Sequence, residues 1–405
     1  MAALADTRVV AIQGARQTGK STLAKEIAKE RDALYLSLDN TGIRNSAAAN
    51  PDDFVRQVPH GLLIIDEVQR VPEIILSIKE VVDEDARPGR FLITGSSDLS
   101  GISAIQESLA GRMETVELCG FSQEELRGTS PALIESVFSN RPNLDFLGTS
   151  ATLGRADYLE LALVGAYPEA VFRTSKVRRD VWFDNYLKLL FEQYAASVSS
   201  LRRLSLLPKL IAYLASVSGH QLVLASAARD MQESYSSLGG YLALLESMFL
   251  VKLLPAWSSN ITNRAIKQPK AYVTDSGLTA RLLKSSSTMP TDLLSPIAGT
   301  LFETFVFSEI YKQLSYHSRH YSLSHYRDSR KREVDLVIEN DVGEIVLVEV
   351  KASSTAQAAD FKTMAYLQEL HPERIVRCLL VYTGTRTYSF GDKRLVLPAQ
   401  MLWSE

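Results

Sequence analysis

Eight residues, Gly14-Ala15-Arg16-Gln17-Thr18-Gly19-Lys20-Ser21, constrain this chain more than any other feature. They satisfy G-x-x-x-x-G-K-[ST] at every fixed position, after the apolar stretch Val9 to Ile12 and before a helical pattern from Thr22 to Arg31. A strand that turns through two glycines into a helix aims backbone N–H groups and a helix N-terminus at one point, which makes an anion site. In that setting Lys20 reaches the β- and γ-phosphates of a nucleoside triphosphate, and Ser21 ligates Mg²⁺. The expected ligands are therefore ATP and Mg²⁺, held by Gly14, Ala15, Arg16, Gln17, Thr18, Gly19, Lys20, Ser21 and Thr22. The bland alternative is a glycine-rich turn with a solvated lysine. Strand, loop and helix in this order argue against it.

A phosphate loop alone neither completes a metal shell nor activates water. Leu62-Leu63-Ile64-Ile65-Asp66-Glu67 is an apolar strand ending in two acids. Asp66 is expected to hold Mg²⁺ together with Ser21, and Glu67 to act as base for the attacking water. Phe91-Leu92-Ile93-Thr94-Gly95-Ser96-Ser97 ends another strand with hydroxyls. Thr94 is the candidate for the γ-phosphate or the water, although such a cluster equally forms a turn. Asp39 either orients water or caps a turn. Arg112 is the candidate arginine finger, in cis or in trans, against the alternative of a surface arginine preceding a strand.

These motifs lie in an alternation of apolar runs and helical stretches, with strands expected at Val9–Ile12, Leu34–Leu38, Leu62–Ile65, Phe91–Thr94 and Glu114–Leu118. Their near-continuous apolarity predicts an α/β fold, a parallel sheet buried on both faces by helices. At 405 residues two to three domains are expected. Four spans follow from the pattern: a P-loop ATPase domain over 1–123, a helical connector over 124–206, a winged-helix-like region over 207–290, and a separate α/β module over 291–405. Loop-rich breaks are expected near Ser139 to Gly148 and over Ser285 to Pro296. With 44 Lys+Arg against 47 Asp+Glu, the charge excludes a uniformly basic nucleic-acid coat but permits a local basic face. Cys119 and Cys378 fit no metal-ligand spacing and are expected as reduced core residues. No apolar run approaches a bilayer span, and the first strand begins too early for a signal peptide, so a soluble cytoplasmic protein without membrane contact is expected.

The last module carries a second constellation. Asp335 in Glu333-Val334-Asp335-Leu336 and Glu349 and Lys351 in Leu347-Val348-Glu349-Val350-Lys351 flank a turn at Asn340 to Gly343, so the two segments form a hairpin. Alternation puts Glu349 and Lys351 on one face and Val348 and Val350 on the other. Two carboxylates and a lysine so placed could hold a metal against a phosphodiester. Glu303 on the preceding helix completes the candidate nuclease site, with Glu309 second. The stretch containing His317, Arg319, His320, Tyr321, His325, Tyr326, Arg327, Arg330, Lys331 and Arg332 suits phosphate neutralisation and base stacking, or else is a solvated charged loop. In the winged-helix-like region, helices are expected at Leu224–Met231 and Ser234–Met248, the second capped by Ser236 or Ser237. It lacks base-reading side chains, so a protein contact is at least as compatible as sequence-specific DNA recognition.

In order, Gly14 to Thr22, Ile64-Ile65-Asp66-Glu67-Val68-Gln69, Leu92 to Ser97, Leu109-Ala110-Gly111-Arg112, Pro269 to Leu278, Glu333 to Asp335 and Glu349 to Lys351 resemble the prokaryotic AAA-type ATPases that carry a C-terminal domain of unknown function. The resemblance spans nearly the whole chain, although such proteins usually carry about thirty residues before the first strand. It implies ATP binding by Gly14 to Thr22, catalysis by Asp66 and Glu67, and a C-terminal winged helix with an active or degenerate restriction-endonuclease-like fold. Asp275 matches a family position of underived role. The expected function is a Mg²⁺-dependent ATPase coupling hydrolysis to action on DNA. The alternatives are an ATP-gated metal-dependent nuclease and a nucleotide-dependent switch that binds a protein partner through the winged helix. Self-association into a homo-oligomer is compatible with each.

Overall fold

Four of the five residues of β1 (Val9–Gln13) are buried, as their apolarity requires. The structure, a computed structural model, describes residues 1–96, 108–130, 133–139, 148, 150–197, 205–260, 264, 267–283, 296–391 and 393–404. Ser97, residues 140–147 of the expected break and residues 285–295 of the expected Ser/Thr/Pro loop lie outside the described residues. β1 lies inside a parallel sheet with β2 (Leu34–Ser37), β3 (Leu63–Asp66), β4 (Phe91–Gly95) and β5 (Met113–Glu117), ordered β2-β3-β4-β1-β5. All five expected strands are present, within a residue or so of their expected ends.

Alternation divides this sheet's residues between two cores. Val9, Ala11, Leu63, Ile65, Phe91 and Ile93 pack with Ile74, Ile75, Ile78, Val81 and Val82, from a helix over Ile74–Glu84. Val10, Ile12, Ile64 and Leu92 pack with Ala24 and Ile27, from α1 (Lys20–Arg31). Each fully buried Val, Ile or Leu contributes roughly 1.5–3 kcal/mol. Burial on both faces holds for β3, β4 and most of β1. It fails for β2 and β5, where most residues are only half-buried or exposed, because these strands form the sheet edges. Parallel pairing brings the C-terminal ends of β1, β3 and β4 to one edge, where Gln13 is opposite Gly95.

Met1–Gly120 with Ser247–Phe249 form one compact unit; Phe121–Glu246 with Leu250–Glu405 form the other. The three spans expected after residue 123 therefore share a unit. Their apolar residues merge into one core: Tyr158 and Ala162 from the connector, Leu254, Tyr272 and Ala280 from the middle region, and Leu301, Phe302, Phe305 and Phe307 from the last. The middle region runs α2 (Leu206–Ser216), β6 (His220–Gln221), α3 (Leu224–Asp230), α4 (Tyr235–Ser247), β7 (Val251–Leu254) and β8 (Lys270–Val273). Its strands form an antiparallel sheet ordered β6-β8-β7. The Ser234 hydroxyl accepts from Ser237 N–H at 3.1 Å, so Ser234 caps α4 in place of the expected Ser236 or Ser237.

The last region starts with α5 (Pro296–Tyr316), then β9 (Tyr321–Arg327), β10 (Glu333–Asn340), β11 (Ile345–Lys351), a helix over Lys362–Leu370, β12 (Ile375–Tyr382), β13 (Tyr388–Ser389) and β14 (Arg394–Pro398). The mixed sheet is ordered β13-β14-β12-β11-β10-β9. Val346, Val348 and Val350 pack with the α5 side chains, whereas Ile345 and Leu347 pack with Met364 and Leu367. The expected β10–β11 hairpin is present, with Leu336 opposite Val348. Among the described residues, no helix is long and apolar enough to cross a membrane.

Candidate functional site

The loop leaving β1 can turn only because Gly14 lacks a side chain. At φ +152°, a Cβ there would stand 2.2 Å from the Leu118 carbonyl oxygen. Gly19, at φ +100°, is the N-cap of α1, which begins at Lys20, two residues earlier than expected. Lys20 Nζ donates to the Gly14 and Ala15 carbonyls at 2.9 and 2.7 Å. Thr18 Oγ1 also donates to the Ala15 carbonyl, at 2.9 Å. The loop is thus closed over its own ammonium. Burial lowers the Lys20 pKa to about 8; Glu67 and Asp66 oppose that shift and Arg16 adds to it.

Asp66, at the tip of β3 and almost fully buried, is surrounded by hydroxyl donors. Ser21 Oγ and Thr94 Oγ1 donate to Oδ1 at 3.0 and 2.5 Å; Tyr35 OH and Ser37 Oγ donate to Oδ2 at 2.7 and 3.2 Å. Burial and the bond to Asp66 push the Tyr35 phenol well above its ordinary pKa. Glu67 adopts the left-handed region at φ 59°. Its N–H donates to Thr94 Oγ1 at 3.1 Å, and its Oε2 accepts from Ser96 Oγ at 3.1 Å and from Gln69 Nε2. Thr94, fully buried, therefore joins the two acids.

Ser21 Oγ and Asp66 Oδ1 fit Mg²⁺. Their 3.0 Å separation is that of two adjacent oxygens on an octahedral ion bound at about 2.1 Å. Tyr35, Ser37 and Gln69 escaped the sequence reading. The alternation Leu34-Tyr35-Leu36-Ser37 on a strand adjoining β3 was the available signal for the first two.

Arg112 requires correction as a finger in cis. Its carbonyl accepts from Val9 N–H at 3.2 Å, which places it at the N-terminal ends of β1 and β5, the sheet edge opposite the phosphate loop. There its guanidinium pairs with Asp83 at 2.5 Å. Asp39 is likewise occupied, with Arg70 at 2.5 Å.

In the other unit, the fold gathers Glu303, Asp335, Glu349 and Lys351, but around a residue absent from the expected set. Lys270 Nζ, from the first residue of β8 and fully buried, lies 3.3 Å from Glu303, 2.8 Å from Glu333 and 2.9 Å from Asp335. Tyr272 OH donates to Glu303 at 2.8 Å, Val350 N–H to Asp335 at 2.9 Å, and Lys351 Nζ to Glu349 at 2.7 Å. Burial and the Asp335 charge raise Glu303 to about 7 and Glu349 to about 8. Asp335 is nevertheless held below the usual carboxylate range: burial raises it, and the Lys270 charge, the Val350 N–H and Lys351 outweigh that effect. Among the described residues, no group of three or more Asp, Glu, His or Cys is arranged to hold a metal ion.

Glu309, the second choice for this site, instead accepts from Gln123 N–H at 2.7 Å and pairs with Lys312 at 2.8 Å. Asp275 acquires a structural role. It accepts from Leu278 N–H at the start of a helix over Ser276–Leu282 and from Ala166 N–H, both at 2.7 Å.

The basic and aromatic stretch is mostly structural as well. Tyr321, His325 and Tyr326 are buried in β9, Arg327 pairs with Glu333 at 2.7 Å, and Arg332 pairs with Asp328 at 2.6 Å. Arg319, Arg330 and Lys331 remain exposed.

The parallel sheet, the glycine loop and the acids of β3 define a P-loop nucleotide-binding domain. A profile described as an AAA domain matches residues 6–127, which supports an AAA-type ATPase. Two profiles of domains of unknown function match residues 155–288 and 298–402 (DUF8612 and DUF4143). Uncharacterized proteins of Mycobacterium bovis and Mycobacterium tuberculosis are each 27% identical over 394 residues, covering 97% of this chain and 80% of theirs. Among solved structures, a Rhizobiales Trip13 is 15% identical, with 39% of this chain and 58% of that one covered, at a TM-score of 0.22. A Drosophila ORC structure bound to GC-rich DNA and Cdc6 is 12% identical, with 70% and 87% covered, at 0.21.

Proposed function

We propose that this chain is a Mg²⁺-dependent ATPase whose first unit binds and hydrolyses ATP. The observation that carries the reading is the Ser21–Asp66 pair at 3.0 Å beside Lys20, with Glu67 next in sequence to Asp66. Ser21 and Asp66 are the residues that would hold Mg²⁺, which when bound neutralises charge on the β- and γ-phosphates. On ATP binding, Lys20 exchanges the Gly14 and Ala15 carbonyls for phosphate oxygens, and the loop N–H groups from Ala15 to Thr22 face the same anion. Glu67, held by Ser96 and Gln69, takes the proton from the attacking water, while Thr94 fixes the angle between Glu67 and Asp66. Lys20→Ala is expected to abolish nucleotide binding, and Glu67→Gln to retain bound ATP while stalling turnover. Undiminished hydrolysis by Glu67→Gln would remove Glu67 from its role.

Action on DNA is our reading of how the energy is used; Arg319, Arg330 and Lys331 and the helix-and-hairpin region from α2 to β8 support it. A nucleotide-dependent switch for a protein partner is the second reading. One observation favours it: the exposed residues of α4 are Tyr235, Ser236, Gly240 and Ala243, with no base-reading group among them. ATPase rates measured with and without single-stranded, duplex and branched DNA separate the two. Stimulation that fades with salt supports the DNA reading. An unchanged rate with every DNA form supports the switch.

A further inference from the structure

We propose that Lys270 is a built-in counter-cation that fills the Glu303–Glu333–Asp335 cluster and keeps it closed to divalent metal ions. This inference is independent of the ATPase reading and concerns only the second unit. The ammonium has three N–H donors and no acceptor. The protein supplies three carboxylates, at 3.3, 2.8 and 2.9 Å. Lys270 is fully buried in the sheet β6-β8-β7, whereas its partners come from α5 and β10.

The surroundings fit a cation that stays in place. Glu303 is oriented toward Lys270 by Tyr272, two residues further along β8, through a 2.8 Å hydrogen bond to the same Oε1 that meets the ammonium. Gly219 leaves the space that Glu303 occupies: a Cβ there would lie 2.6 Å from Glu303 Oε1. Asp335 has its second oxygen on Val350 N–H, and Glu349 is paired with Lys351. Mg²⁺ and Mn²⁺ demand oxygens near 2.1 Å, in a shell about 1 Å tighter than the one drawn around this ammonium. A metal could enter only by displacing a buried lysine from three carboxylates. Of the metal site that the sequence suggests, Glu303 and Asp335 are therefore held by the ammonium as folded, and Glu349 by Lys351.

Mn²⁺ binding to the full-length protein without nucleotide, followed by electron paramagnetic resonance, tests this. Wild type and Asp335→Asn should bind Mn²⁺ equally, because Asp335 is already occupied. Lys270→Met, similar in length and uncharged, should gain one Mn²⁺ site per chain, and Asp335→Asn in that background should lose it. A wild-type site abolished by Asp335→Asn overturns the proposal, as does a folded Lys270→Met that gains none. Removing the ammonium strands buried carboxylates, so Lys270→Met is paired with Glu303→Gln if the single variant fails to fold; the double variant should show the same Asp335-dependent gain. Amine-reactive labelling of the wild type adds a variant-free arm. Lys270 should stay unmodified with and without millimolar Mn²⁺, and labelling that appears with the metal would show that it can be displaced.

Discussion

The Thr94 hydroxyl donates to Asp66 Oδ1 at 2.5 Å and accepts from the Glu67 N–H at 3.1 Å, so one β4 side chain sets the positions of both acids of β3. Thr94→Val keeps the shape and removes both bonds. The Glu67 N–H then loses its partner, which costs roughly 1–3 kcal/mol, and Asp66 Oδ1 keeps only the bond from Ser21. The expected outcome is a lower kcat with nucleotide affinity changed much less, because the phosphate loop is untouched. Steady-state kinetics together with binding of a fluorescent ATP analogue check this. Equal losses in both would place Thr94 on the nucleotide itself.

Gly14 admits no side chain. A Cβ would meet the Leu118 carbonyl at 2.2 Å, with φ in a region that side chains avoid. Gly14→Ala should therefore destabilise the first unit by more than the roughly 1 kcal/mol by which a compatible glycine replacement stabilises, and weaken ATP binding by displacing the loop. Urea denaturation and nucleotide titration provide the two readouts. Unaltered ATP affinity would show that the loop accommodates the methyl group.

Lys20 makes nucleotide affinity depend on pH. Burial brings the free-state pKa down to about 8, and bound phosphates stabilise the charged form. The ligand-free ammonium loses its proton as pH rises through 8. Above that value, ATP binding must also take up a proton, and affinity falls by up to about tenfold per pH unit until the bound-state pKa is reached. Titrations from pH 7 to 9.5 should show this decline in the wild type. Lys20→Arg, which stays charged throughout, should bind ATP with a flat profile over the same range. A wild-type affinity that holds constant to pH 9.5 would show that Lys20 does not titrate there.

The first unit was legible because its chemistry is local. Glycines, lysine and serine contiguous across a strand-to-helix turn, and acids at a strand tip, are fixed by a few neighbouring residues. The phosphate loop and the pairing of Ser21 with Asp66 follow from that. The cis placement of Arg112 fails because its position depends on strand direction: it precedes β5, and parallel pairing sends the start of β5 to the edge opposite the loop. The second unit was legible in its hairpin and in the gathering of Glu303, Asp335, Glu349 and Lys351, but not in the cation among them. Lys270 lies 65 residues from Asp335 along the chain. No periodicity in its own segment indicates that β8 delivers its ammonium to carboxylates of α5 and β10. His325 and Tyr326 misled for a related reason: alternating polar and aromatic residues suit a nucleic-acid surface or a buried strand equally well, and pairing with β10 decides for the strand.

The Lys270 cluster should also govern how stability varies with pH. Glu349 is raised to about 8, by burial first and then by the nearby Asp335 charge, with Lys351 and Lys270 opposing. A carboxyl whose folded pKa exceeds its unfolded value near 4.5 binds its proton more tightly in the folded state. Between those values the native protein holds more protons than the unfolded chain, so stability decreases as pH rises. The contribution is complete below about pH 4.5 and is lost as pH passes through 8. Glu303, raised to about 7, acts in the same direction. Glu349→Gln is neutral at every pH and removes its own share. Urea midpoints for the wild type at pH 5.5, 7 and 8.5 should therefore decline more steeply than those of Glu349→Gln. The two proteins should differ most at the alkaline end, where the wild type carries a buried charge that the variant lacks. Parallel profiles for the two would mean that Glu349 is already ionised at pH 5.5, and that Lys351 and Lys270 compensate its burial more fully than the cluster's geometry indicates.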